Sequence, residues 1–273
     1  MKLTKYIDII KDRVKNITDI RKGKNKTYSM QEIAMSAYSV FHMQSSSFLE
    51  HQSKIEQHIS ENNCSKLFGF TNVPSDNQIR QTLDHVHPVE LKPIFDQILQ
   101  TCGYKNLEHE DRLVIAIDGV SFFSSNNISC PCCLRKKRKD GTITFSHKAL
   151  CPVIIKPDQA QVIPLFPEFI SNTDGQTKQD CELNAAKRWI AANAEFLSLH
   201  KAIILGHDLF SKDSIIKMLD AIENVDYIFV AKPEPHKCMY ENLNAALYFK
   251  AFKSWDSCIK ILANRQRKKL SSA

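Results

Sequence analysis

No stretch of the chain approaches the about eighteen consecutive apolar residues that a membrane-crossing helix needs, so no transmembrane span is expected. The opening residues, Met1-Lys2-Leu3-Thr4-Lys5-Tyr6-Ile7-Asp8, lack the apolar core of a secretory signal. A cytoplasmic location is the expectation that follows. Internal repeats and low-complexity tracts are also lacking, which argues against a stacked-repeat architecture. The nine cysteines are an odd number. In a reducing compartment they are not expected to build a disulfide framework, which leaves buried thiols or a metal site.

What is present is ordinary in bulk and uneven in detail. The 273 residues are 43% hydrophobic and 25% charged, and suffice for one or two domains with a sizeable core. The net charge is +7. It gathers in three runs: Arg21-Lys22-Gly23-Lys24-Asn25-Lys26, Arg135-Lys136-Lys137-Arg138-Lys139, and a tail with Lys260, Arg265, Arg267, Lys268 and Lys269. One such run reads equally well as a solvated loop. Three together favour contact with a polyanion, because each neutralised phosphate releases counterions.

Two regions differ in pattern. Residues 1–105 read as helical. Ser29-Met30-Gln31-Glu32 is a capping-box sequence, followed by Ile33, Ala34, Ala37, Phe41 and Phe48 near helical spacing. Ser75 with Gln78 opens a second helix with Ile79, Leu83 and Val86 on its apolar face; after Pro88 another stripe carries Leu91, Ile94, Phe95, Ile98 and Leu99. Short helices joined by tight turns suit DNA docking and suit a plain helical bundle equally well. Residues 106–250 alternate apolar strands with helices, and 251–273 form a basic tail. Strands are predicted at 113–117, 153–155, 162–166, 202–205 and 227–231, the second and third spaced for a hairpin. A helix is predicted over 178–198, and another capped by Ser211 with Ile215, Ile216, Leu219 and Ile222 inward. The segment from 119 to 150 gives no clear pattern. The order is three strands, helix, strand, helix, strand. This mixed α/β order is the start of a ribonuclease-H-like sheet, and the right-handed crossover rule permits it. A doubly wound sheet fits less well, because the first three strands lack intervening helices.

Asp118 ends the first predicted strand and Asp208 the fourth. Carboxylates at the ends of neighbouring strands can share a hard cation such as Mg²⁺ or Mn²⁺, and paired ions of this kind drive phosphodiester chemistry. The short Asp side chain holds its oxygens close to the rigid strand. Either acid alone is better read as a turn residue; the pair and the strand order favour the metal. Asp180 and Glu182 open the helix after the third strand. They read as partners of the helix dipole or as accessory acids.

Ala116-Ile117-Asp118-Gly119 with Leu205-Gly206-His207-Asp208-Leu209-Phe210 resembles the first two blocks of the DDE transposases of bacterial insertion sequences, in particular the group called insertion sequence family four. Further blocks resemble one branch of that group: Ile128-Ser129-Cys130-Pro131-Cys132-Cys133, His147-Lys148-Ala149-Leu150, Gln161 through Ile170, Lys178-Gln179-Asp180-Cys181-Glu182, and Lys232-Pro233-Glu234-Pro235-His236-Lys237. Pro74 through Arg80 resembles its N-terminal region. The resemblance implies DNA cleavage and strand transfer at transposon ends, with Mg²⁺ or Mn²⁺ on Asp118 and Asp208. It also implies DNA as the partner and a homodimer in the DNA complex. Arg80, Arg135, Lys136, Lys137, Arg138 and Lys139 are the expected DNA contacts. Family members carry a third acid, a Glu within a Tyr, Arg, Glu, Lys signature on a late helix. No such signature follows Tyr248, so the chain is expected to be cut short. Glu241 follows the fifth strand, at about the separation from Asp208 that uninterrupted members of the wider superfamily keep, and is the candidate within this chain.

The cysteines add a second metal candidate. Cys130-x2-Cys133-x13-His147-x3-Cys151 offers thiolates and one imidazole, a donor set for tetrahedral Zn²⁺. Unliganded thiols with a structural His are the alternative. Such a site would staple the link between the first and second predicted strands, with Arg135 to Lys139 in its loop. Three functions therefore stay open: a DNA transposase, a catalytically inactive remnant that retains DNA binding, and a small zinc-binding DNA-associated regulator.

Overall fold

The structure, a computed structural model, describes residues 3–22, 26–57, 64–70, 72–171 and 180–248, the last six as backbone only. The basic tail after residue 250 lies outside the described residues, as do Gly23, Lys24, Asn25, Lys178 and Gln179. The chain is mixed α/β. No helix among the described residues is long and apolar enough to cross a membrane.

Helices come first: α1 (Leu3–Val14), α2 (Met30–His42), α3 (Phe48–Gln57), α4 (Cys64–Leu67), α5 (Asp76–Leu83), a 3₁₀ turn (Pro88–Leu91), α6 (Lys92–Cys102) and α7 (Tyr104–Leu107). Ser29 caps α2 reciprocally with Glu32, as the capping-box sequence predicts. Ser75 caps α5 by accepting the Gln78 amide. Gly103, at φ 75°, takes the left-handed backbone that ends α6. Ile7, Val14, Met35, Ile55, Phe68 and Phe70 form the helical core. The predicted α2 stripe is only partly right: Ile33 is buried, while Phe41 is 74% exposed and meets Phe48 edge-on.

The strands are β1 (Val114–Ala116), β2 (Gly119–Ser125), β3 (Leu134–Lys137), β4 (Ile143–Leu150), β5 (Val153–Ile155), β6 (Ile163–Pro164), β7 (Glu168–Ile170), β8 (Ile203–Gly206) and β9 (Asp226–Phe229). Among them run α8 (Glu182–Ala192), α9 (Ala194–Leu199) and α10 (Asp213–Asp220), and α11 (Lys237–Tyr248) follows β9. One sheet has the order β6-β5-β1-β8-β9. β8 lies parallel to β1 and to β9; β5 lies antiparallel to β1 and to β6. Leu113, Ile115 and Ile117 alternate onto one face, where Trp189 and Ile190 of α8 and Ile215 and Leu219 of α10 join them in a second core. The predicted helix over 178–198 divides at Asn193 into α8 and α9.

The unpatterned segment from 119 to 150 turns out to be mostly strand. β4 is flanked by β2 on one side and by β3 and β7 on the other. Ala116 faces Val153 and Gly119 faces Leu150, so β1–β2 and β4–β5 form one long hairpin that keeps its register through the bend and shifts at a bulge between Ser121 and Phe123. Asp118 sits opposite Cys151 at its bend, where the Cys151 amide donates to the Asp118 carbonyl at 2.8 Å. These strands escape a period-two hydrophobic pattern: β3 is Leu-Arg-Lys-Lys, with all but Leu134 exposed, and β2 exposes Val120 and Phe122 alongside Ser121. Basic residues are what a sheet edge tolerates, since they oppose edge-to-edge pairing.

Candidate functional site

Three neighbouring strands deliver polar groups to one end of the sheet. β1 and β8 run parallel with Ala116 beside Leu205. Asp118 and His207 therefore leave the sheet together, and Asp208 comes one residue later. β9 pairs with β8 on the other side and leads to Lys232. The crevice outside the carboxyl ends of parallel strands is where ligands bind in open α/β sheets.

His207 stands between the two acids. Its Nε2 lies 3.3 Å from Asp118 Oδ1, and its Nδ1 lies 3.4 Å from Asp208 Oδ1. The Leu209 amide donates to Nδ1 at 3.1 Å. In the neutral ring this places the proton on Nε2, the nitrogen on the Asp118 side. Phe210, fully buried, braces the ring at 4.9 Å between centroids. Gly206 makes room for that brace, because a Cβ there would come within 2.9 Å of Phe210 and 3.1 Å of Phe229. Ser211 does not cap α10, whose N-cap is Lys212. Its hydroxyl instead donates to the Asp208 carbonyl at 2.6 Å and accepts from His236 Nε2 at 2.6 Å. The Asp208 turn is thereby tied to the segment that leads into α11.

Lys232 Nζ approaches Asp208 Oδ1 at 3.0 Å, and this ammonium group holds the Asp208 carboxyl below the usual carboxylate range. Lys232→Met is expected to raise the Asp208 pKa toward that of an ordinary aspartate. A carbon-13 carboxyl titration by NMR reads this directly, and an unmoved Asp208 would show that the ion pair does not set its charge.

A further carboxylate approaches the first strand. Glu182, the first residue of α8, packs so closely on Gly119 that a Cβ there would lie 2.3 Å from Glu182 Cδ. Lys148 Nζ is 3.3 Å from Glu182 Oε1. A glycine directly after the strand-ending acid was the only trace of this approach in the sequence. Asp180 has a different place: its buried carboxylate is held by Arg188, with Nη2 at 2.9 Å from Oδ2. Glu241 lies exposed on α11. Among the described residues, Asp118, Asp208 and Glu241 do not form a group whose ligand atoms converge within 4.8 Å.

Such convergence does occur at Cys130, Cys133 and His147. Cys130 Sγ lies 3.2 Å from His147 Nε2, Cys133 Sγ lies 3.4 Å from the same nitrogen, and the sulfurs are 3.6 Å apart. The structure places Cys151 apart from this group. His147 lies within the extended strand β4, where a four-residue separation spans roughly 13 Å. The spacing His-x3-Cys closes on one metal only in a helix or a loop. Cys151 faces Asp118 instead; burial, reinforced by the Asp118 charge, pushes its thiol up.

The basic run divides between β3, with Arg135, Lys136 and Lys137, and the turn after it, with Arg138 and Lys139; all five are exposed. The Arg135 guanidinium lies 5.8 Å from the Phe145 ring centroid. Arg80 stands on α5, where it pairs with Asp76 at 3.1 Å and lies over Phe48. Comparison with known protein families, with curated proteins and with solved structures finds no match.

Proposed function

We propose that the chain acts on DNA as a transposase of the DDE type, with a ribonuclease-H-like sheet that carries Asp118 and Asp208 as the central acids. One observation carries the reading: the two acids leave adjacent parallel strands and face the two nitrogens of one imidazole. The sheet order supports it, since β1, β5 and β6 form an antiparallel meander on one side and β8 and β9 add in parallel on the other. The oxygen donors fit a hard divalent cation such as Mg²⁺ or Mn²⁺. Asp118 and Asp208 would hold it, and when bound it would activate a water or 3′-hydroxyl and stabilise the leaving oxygen of a phosphodiester. Lys232 keeps Asp208 ionised. The Gly119 amide, which donates to Asp118 Oδ1 at 2.8 Å, fixes the orientation of Asp118, and His207 Nε2 stands beside the same oxygen. The exposed cations of β3 and its turn offer phosphate contacts along β4, the strand whose other end reaches Glu182 through Lys148.

A second reading is favoured by one contact and one separation. Lys232 already neutralises Asp208, and Glu241 does not join the two aspartates. In that reading the chain binds DNA without cutting it. Nicking of a supercoiled plasmid that carries the DNA flanking the chain's own coding sequence separates the two. The transposase reading expects nicks with Mn²⁺ or Mg²⁺ and none with chelator. Binding that weakens steeply with salt, unaccompanied by nicks, selects the second reading. Absence of any DNA binding at about 50 mM salt overturns both.

A further inference from the structure

We infer that Cys130, Cys133 and His147 form a zinc site that fastens the basic strand β3 into the second sheet. This site is separate from the aspartates and does not depend on their chemistry. The donor atoms have the right spacing for one ion. With Zn–S bonds of about 2.3 Å and a Zn–N bond of about 2.05 Å, a tetrahedral ion separates two sulfurs by about 3.8 Å and a sulfur from a nitrogen by about 3.6 Å. The three edges found are 3.6, 3.2 and 3.4 Å. The triangle of donor atoms already has nearly the size of one face of such a tetrahedron.

The donors are also held in place by different means. Cys130 and Cys133 close a tight turn in which the Cys133 amide donates to the Cys130 carbonyl at 3.1 Å. The Cys130 amide donates to Cys133 Sγ at 3.2 Å, a bond that stabilises a thiolate. His147 is presented from the opposite side by β4, its ring stacked on Phe122 with centroids 5.9 Å apart and flanked by Phe123. Two thiolates and a neutral imidazole select a borderline-soft cation such as Zn²⁺ over Mg²⁺. Binding displaces one proton from each thiol to solvent. Cys130 is exposed, so an ion has a route in. The fourth position is left to solvent or to an added ligand.

Position gives the site its purpose. Leu134, the first residue of β3, directly follows Cys133 and pairs with Ser146, the neighbour of His147. A metal bridging Cys133 and His147 therefore fixes the register in which β3 joins β4. The strand so fastened carries Arg135, Lys136 and Lys137 at a sheet edge, where polar strands hold register weakly by themselves.

The test begins with the unaltered full chain, purified without chelator. Metal analysis is expected to find close to one equivalent of zinc. The Co²⁺-substituted protein is expected to show the near-ultraviolet thiolate-to-cobalt band of a two-sulfur site. Less than about a tenth of an equivalent, or a cobalt spectrum without the thiolate band, overturns the assignment. Cys130→Ser and His147→Ala are expected to lose the metal, whereas Cys151→Ser is expected to keep it. Zinc lost from Cys151→Ser but kept in Cys130→Ser would also overturn it. In the unaltered chain, chelation should speed amide exchange over residues 134–137 at least tenfold while residues 203–206 stay protected. Equal exchange with and without zinc would show that the metal does not fasten β3.

Discussion

Exchange of Asp118 or Asp208 for asparagine is expected to lower divalent-cation-dependent DNA nicking by about a thousandfold or more while leaving the fold intact. Lost metal-borne charge stabilisation is worth several kcal/mol, and about 4 kcal/mol corresponds to a thousandfold. Stability should hardly change, because the Asp118 side chain is 70% exposed and the Asp208 carboxylate pairs with the surface groups His207 and Lys232. At position 118 asparagine keeps an oxygen for the Gly119 amide, and at either position it removes the charge that a cation requires. Nicking rates for both variants, measured beside their thermal unfolding curves, make the test. Activity within tenfold of the unaltered chain in either variant would remove that acid from the site. Activity lost together with a large fall in melting temperature would assign the aspartate a structural task instead.

Arg188→Met is expected to destabilise the sheet-bearing part of the chain by about 3 kcal/mol, the scale for breaking a buried ion pair by removing one partner. The Asp180 side chain is only 1% exposed and receives Arg188 Nη2 at 2.9 Å. Arg188 also donates to Glu168 at 2.6 Å and to the Phe169 carbonyl at 3.1 Å. One guanidinium thus pins α8 to β7 and covers a carboxylate that water does not reach. Its loss strands that carboxylate, and the loss is not shared by the helical core around Ile7 and Phe70. Urea unfolding followed through Trp189, the buried neighbour of Arg188, reads the change. Asp180→Asn in the same chain should recover at least half of it, because the uncompensated charge is then gone. A double variant no more stable than Arg188→Met alone would show that the charge of Asp180 was never the cost.

The helical opening, the capping box at Ser29, the apolar strands β1, β5, β8 and β9, and the strand-ending positions of Asp118 and Asp208 were legible in the sequence. Each rests on a local rule: periodicity of apolar residues, a cap three residues from its partner, a buried run stopped by an acid. What escaped was decided at long range. β2 and β3 hold their shape by pairing with β4, and neither the basic β3 nor β2, which exposes Val120 and Phe122, leaves a period to read. The four-ligand reading of Cys130, Cys133, His147 and Cys151 lost Cys151 for the same reason, since spacing along a chain becomes distance only once the chain is known to be extended or coiled. Ser211 has the residue type of a cap and was claimed by His236, a partner far along the chain. Glu182 met Gly119, and His207 came between two aspartates, because the parallel alignment of β1 with β8 and the docking of α8 set which residues share a cleft. The sequence by itself determined which segments would be helix or buried strand and where acids would end them. Only the tertiary structure decided which of those acids face a common partner, because register and helix docking are settled by the summed burial of the whole core and by no single stretch of residues.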